Sequence, residues 1–154
     1  MDFRLLHLFI VSIQNSFKSK TNSYYNKKRF QYSNFFSTFG YSGIPTANNS
    51  TAFGTGINNT ANLVTACIEG TVAYICDALT IDGYSDWFLP SKDELSLVYQ
   101  NYALVGGVYP TTSQGVWSSS EVDANSGYVC SFDEGGWVFL PKTYGFCVKP
   151  LRKF

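Results

Sequence analysis

The chain has 154 residues, of which 45% are apolar, 18% aromatic and only 14% charged. That suits one domain with a real core and excludes a disordered tail, a coiled coil or a charge-rich solvated helix. No apolar stretch reaches the roughly 18 residues that span a bilayer, and eleven bases against eleven acids give no net charge to argue for nucleic-acid binding.

The charge is unevenly placed. Residues 1–66 hold six bases and one acid, Asp2, whereas residues 67–154 hold five bases and ten acids. Residues 1–29 combine a short apolar run, Phe3 to Ile13, with a polar and basic stretch, Gln14 to Arg29. They read as an N-terminal leader, with a weak signal-peptide pattern, or as an atypical first strand or helix covering the domain. The domain proper is expected over 30–154. Residues 30–58 are rich in Ser, Thr, Asn, Gly and aromatics and predict short extended pieces joined by turns. Two Asn-x-Ser/Thr sequons begin at Asn49 and Asn58; the alternative is plain loop chemistry.

A helix is expected next, capped by Asn59 or Thr60, with Leu63, Val64, Cys67 and Ile68 at helical spacing. Glu69-Gly70 breaks it. Thr71 caps a second helix that aligns Val72, Ile75, Cys76 and Leu79. Ile81 to Tyr84 is a turn, and Trp87 to Pro90 a short buried run. Ser91-Lys92-Asp93-Glu94 is a capping box, followed by a helix from Lys92 to about Tyr102 that buries Leu95, Val98 and Tyr99. The last third predicts strands at Val116–Ser119, Gly127–Phe132, Gly136–Leu140 and Phe146–Leu151, with a hairpin turn at Asp133 to Gly136 and a second connection at Lys142 to Gly145. The fold class is α+β: two or three short helices packed on a small antiparallel β meander.

The chemistry of catalysis is thin. The single histidine, His7, lies in the apolar leader. A serine or cysteine nucleophile usually needs an imidazole base, and a zinc or copper site several His or Cys ligands. No Cys-x-x-Cys knuckle is present. No metal, no cofactor and no enzymatic activity are expected. Nothing fixes a facing pair of carboxylates for glycoside hydrolysis. Trp87 and Trp117 are read as core, and Ser118 to Ser120 as strand-end hydrogen-bonding groups.

Four ordered blocks carry a resemblance: GTGINNTANLV (54–64), ICDALTIDGYSDWFLPSKDELSLVYQN (75–101), VWSSSE (116–121) and FCVKPLRKF (146–154). Together they resemble the bacterial DUF1566 family, also called the Lcl C-terminal domain, whose members carry GYSDW-[FY]-LPSKDEL and WSSTE blocks and a terminal VR-[PA]-VR-x-F strand. Ser120 stands where Thr is usual, Lys149 replaces Arg and Leu151 replaces Val. The GGIVFY-type opening strand and GLIAA segment of that family are missing, and residues 1–29 stand in their place. The resemblance covers about 30–154 and implies a C-type-lectin-like fold, related to that of the formylglycine-generating enzymes, in which terminal strands pair.

It also frames the cysteines. Cys67 and Cys76 flank the Glu69-Gly70 break, and some relatives carry a pair in this region. A disulfide there is expected, with two buried thiols as the alternative; Cys130 and Cys147 lie on two predicted strands, and a second bridge between them is left open, since it requires those strands to be neighbours. The ligand candidates lie at the β-rich end, which in lectin-like folds presents the recognition surface: Asp123 and Asn125 in a loop, Asp133, Glu134 and Trp137 around a hairpin, and Tyr144 in the next connection. The expectation is a non-catalytic, secreted or cell-surface recognition domain, adhesin-like, binding a glycan or a host or partner surface protein. No nucleic acid and no transmembrane span are expected. The alternatives are a structural or oligomerisation cap, including a homo-oligomer, and a copper oxidase of the formylglycine-generating type using Cys130 and Cys147.

Overall fold

The computed structural model describes residues 36–46, 50–67, 69–81, 83–101 and 115–152. The expectations for residues 1–29 and for the sequon at Asn49 lie outside them. The elements run β1 (Phe36–Thr38), α1 (Gly56–Ala66), α2 (Val72–Asp77), β2 (Trp87–Phe88), α3 (Lys92–Gln100), β3 (Gly115–Glu121), β4 (Ser126–Ser131), β5 (Gly136–Pro141), β6 (Gly145–Cys147) and β7 (Leu151–Arg152). The protein is α+β, with few helices and a mostly antiparallel sheet.

Five strands form the main sheet in the order β1-β6-β3-β4-β5, and β2 pairs with β7 in a small second sheet. β3, β4 and β5 make the expected meander, with Cys130 opposite Val116 on one side and Trp137 on the other. β6 leaves the meander and lies between β1 and β3, touching β3 in a single parallel register, Val116 opposite Cys147. The expected strand over Phe146–Leu151 is therefore two pieces in two sheets. Pro150, which has no N–H to give a ladder, lies in the break.

The period-2 alternation divides the core between the two sheet faces. Trp117 and Val129 pack with Phe39, Leu63, Val72, Ala73, Cys76, Leu89 and Val148 in a cluster that includes α1 and α2. Phe39 and Phe146 meet the Trp117 ring edge-on at 5.2 and 5.3 Å between centroids. Val116, Cys130, Phe132 and Cys147 point the other way and pack with Leu95 of α3. Trp117 is core as expected, but Trp87 is only half-buried: its indole N–H donates to Tyr84 O at 2.9 Å.

The capping box is present in full. Ser91 Oγ accepts from the Glu94 N–H at 3.3 Å, and Glu94 Oε2 accepts from the Ser91 N–H at 2.8 Å. Glu94 reaches further than a local cap, because its Oε1 also accepts from the Gly54 N–H. Helix α1 starts three or four residues before the expected cap, after Thr55, so Asn59 and Thr60 are buried helical residues. Thr60 Oγ1 donates to Gly56 O and accepts from the Leu89 N–H. Asn58, the other sequon asparagine, is thus on a helix rather than in a loop. Gly56 makes this close fit possible: a Cβ there would collide with Glu94 Oε2 and come within 2.9 Å of Leu89 O.

Gly56→Ala is expected to destabilise the domain by about 1–3 kcal/mol through overpacking against the Glu94 carboxylate and the Leu89 carbonyl. Urea denaturation of both proteins checks it; an unchanged midpoint would show that the α1 start is not tightly packed.

Candidate functional site

Two polar assemblies hold the β-rich end in place. The first is built on the serines of β3, all fully buried. Ser118 Oγ donates to Tyr128 O, Ser119 Oγ accepts from Asn59 Nδ2, and Ser120 Oγ donates to Ser50 O while accepting from the Lys92 N–H. Ser50 O also accepts from Asn59 Nδ2 at 2.7 Å, and Ser91 Oγ donates to Ala52 O at 2.9 Å. The 50–55 loop is thereby fastened to α1, α3 and β3 at once. These serines are structural, close to the strand-end role expected of them.

The second assembly has no counterpart in the sequence reading. Lys142 Nζ lies 2.5 Å from Glu121 Oε1, with side chains 1% and 8% exposed. Lys142 Nζ also donates to Ile44 O at 3.0 Å, and Glu121 Oε2 accepts from the Thr46 N–H at 3.0 Å. The Lys142 main chain donates to Asn125 O and accepts from the Phe39 N–H. One buried ion pair therefore joins the 39–46 loop, the β3–β4 turn and the β5–β6 turn. Both charges keep further hydrogen bonds, the condition under which such a pair is tolerated in an interior.

Around it lies a tip made from three segments. Gly43 N–H donates to Ala124 O, and Ser42 Oγ donates to Asn125 Oδ1. Asp123 Oδ1 accepts from the N–H groups of Asn125 and Ser126, both at 2.8 Å. Those amide bonds, Asn125's first, hold the Asp123 carboxyl below the usual carboxylate range. Asp123 and Asn125 thus shape the turn. The exposed groups beside them are Tyr41, Ile44, Val122 and Tyr144, each 40 to 53% accessible.

The six expected ligand residues fall into two groups. Asp123, Asn125 and Tyr144 share the tip, since Ser126 pairs with Pro141 and Lys142 bonds Asn125. Asp133 and Glu134 lie in the turn at the opposite end of β4, six residues and about 17 Å away. Both are exposed, and the Glu134 N–H donates to Ser131 Oγ. Trp137 lies near that end, half-buried, edge-on to Tyr128 at 6.4 Å. The set is not one site.

None of the four cysteines is joined in a disulfide. For Cys130 and Cys147 the reason is topological: each pairs with Val116 from opposite sides. Their Cα atoms are two strand spacings apart, about 9.6 Å, beyond the ~7 Å that a bridge allows. Cys67 is half-buried with its Sγ against Gly40, where an added Cβ would lie 2.7 Å from the sulfur, while Cys76 is buried in the core. Burial pushes the Cys130 thiol up to about 11 and also raises those of Cys76 and Cys147. A reactive or metal-binding thiol is shifted the other way. Among the described residues no three His, Cys, Asp or Glu side chains converge as metal ligands, and no helix is long and apolar enough to cross a membrane. No protein-family model and no curated protein matches the chain.

Lys142→Met alone is expected to cost about 3–5 kcal/mol, because it leaves Glu121 buried and unpaired, while the double variant Glu121→Leu/Lys142→Met recovers most of that loss. Denaturant titration of the single and double variants reads both. The Asp123 carboxyl has a lowered folded value, so its stabilising contribution is present above its ordinary value near pH 4 and lost as pH falls through the folded one. The stability gap between wild type and Asp123→Ala is expected to be full at pH 6 and to close on acidification; a constant gap would contradict this.

Proposed function

We propose that this domain is a non-catalytic recognition module of the C-type-lectin-like, DUF1566 kind, secreted or displayed at a cell surface, which grips a partner protein or a glycan through its tip. The observation that carries this reading is the tip itself. Tyr41, Ile44, Val122 and Tyr144 come from three segments and stand exposed on a frame fixed by a buried ion pair and two hydrogen-bonded turns. Exposed aromatic and aliphatic groups on a rigid support bind at low ordering cost.

The polar groups favour a protein surface over a small sugar as the first partner. Asp123 Oδ1 is occupied by two main-chain N–H groups and Asn125 Oδ1 by Ser42, so the hydrogen-bonding capacity expected for a saccharide is partly spent on the turn. The raised thiols of Cys130 and Cys147 speak for the binding reading over the oxidase alternative.

The test is binding of the wild type and a Tyr41→Ala/Tyr144→Ala variant to a glycan array and to a panel of purified surface-protein ectodomains. The expected result is saturable binding by the wild type, weakened at least about tenfold in the variant at an unchanged melting temperature. Binding that survives the double substitution, or no binding on either platform, would overturn the assignment.

A further inference from the structure

The junction of α1, β3 and the 50–55 loop leaves one polar atom over. Asn59 is fully buried, and its Oδ1 has no hydrogen-bond partner in the protein. Such an atom is rare in a folded interior, where an ordered water is the ordinary partner of a polar group that the chain itself does not reach. Turning the amide over does not remove the mismatch. Nδ2 donates to Ser50 O at 2.7 Å and to Ser119 Oγ at 3.2 Å. With its two ends exchanged, the amide would set an oxygen against the Ser50 carbonyl, acceptor against acceptor.

A second unmatched group lies beside it. Ser119 is also fully buried, and its Oγ accepts the Nδ2 bond. Its own O–H has no acceptor among the described residues. Asn59 therefore lacks a donor and Ser119 an acceptor, at the two ends of one hydrogen-bonded contact. A water molecule supplies both, donating to Oδ1 and accepting from the serine hydroxyl.

The other oxygens of the junction are spent. Ser50 O accepts from Thr55 Oγ1, Asn59 Nδ2 and Ser120 Oγ. Ala52 O accepts from Thr55 Oγ1 and Ser91 Oγ. The two Glu94 oxygens accept from the N–H groups of Gly54 and Ser91. A metal cation would need several open oxygens and could not take the Ser119 proton.

We infer that Asn59 Oδ1 and Ser119 Oγ bind one internal water, which completes the polar network that fastens the 50–55 loop to α1 and β3. Both side chains are closed to solvent, so this water exchanges with bulk only when α1 or the loop moves away from β3. The site shares no residue with the tip, and its test is independent of any tip ligand.

Two measurements on the full chain test it. A high-resolution crystal structure is expected to show a water at about 2.6–3.2 Å from both Asn59 Oδ1 and Ser119 Oγ. Oxygen-17 magnetic relaxation dispersion counts slowly exchanging waters, and Asn59→Leu is expected to lower that count by one. The crystallographic result decides the matter even if the variant does not fold. The inference is overturned if no water is bonded to Oδ1, or if a protein donor is found there instead. It is equally overturned if the site holds an ion ringed by oxygens at about 2.4 Å, or if folded Asn59→Leu keeps the wild-type count.

Discussion

A lysine and a glutamate buried together at the end of the sheet are what make this domain's tip a single object. Lys142 and Glu121 are 21 residues apart in sequence, and each uses its remaining hydrogen-bonding capacity on the backbone of the 39–46 loop. An apolar pair of similar volume would fill the space as well and cost less desolvation. It would not aim at a carbonyl of Ile44 and an amide of Thr46. The pair sets where the loop lies, and the loop carries Tyr41 and Ile44 to the side of the hairpin that carries Val122 and Asp123.

Strand β3 links that pair to the rest of the core. Trp117 faces α1 and α2, Val116 faces α3, Ser119 engages Asn59 of α1, Ser120 engages the 50–55 loop, and Glu121 ends the strand at the tip. A sheet covered by helices on both faces has little room to shift, so displacement at one end of β3 is resisted along its length. The result is a stiff support for the turns at its ends. The same stiffness gives β5 its regular, unbulged edge.

Local features were legible in the sequence and non-local ones were not. The Ser91–Glu94 capping box is a four-residue interaction, and it forms as read. The Asp133 to Gly136 turn is also local, and Gly135 there adopts φ of 71°. The ion pair was invisible because charged side chains are ordinarily exposed and nothing in the chain marks Lys142 as buried. The tip is non-local as well: the segments that carry Tyr41, Val122 and Tyr144 come together only once the turns are joined. The break at Pro150 was written in the sequence, but its consequence, a strand divided between two sheets, depends on β6 lying next to β1. The Cys130–Cys147 pairing depends on a non-local feature too: their two strands neighbour β3 from opposite sides and do not neighbour each other.

The most direct measurement is amide hydrogen exchange at Gly43 and Thr46 in wild type and in Lys142→Met, under conditions where both are folded. Their N–H groups bond to Ala124 O and to Glu121 Oε2. If the ion pair fixes the tip, both amides are protected in the wild type and lose protection selectively in the variant, while the amides of β3 and β4 keep theirs. Equal exchange at Gly43 and Thr46 in the two proteins would mean that the loop holds its place without the pair, and the account of the tip would be wrong.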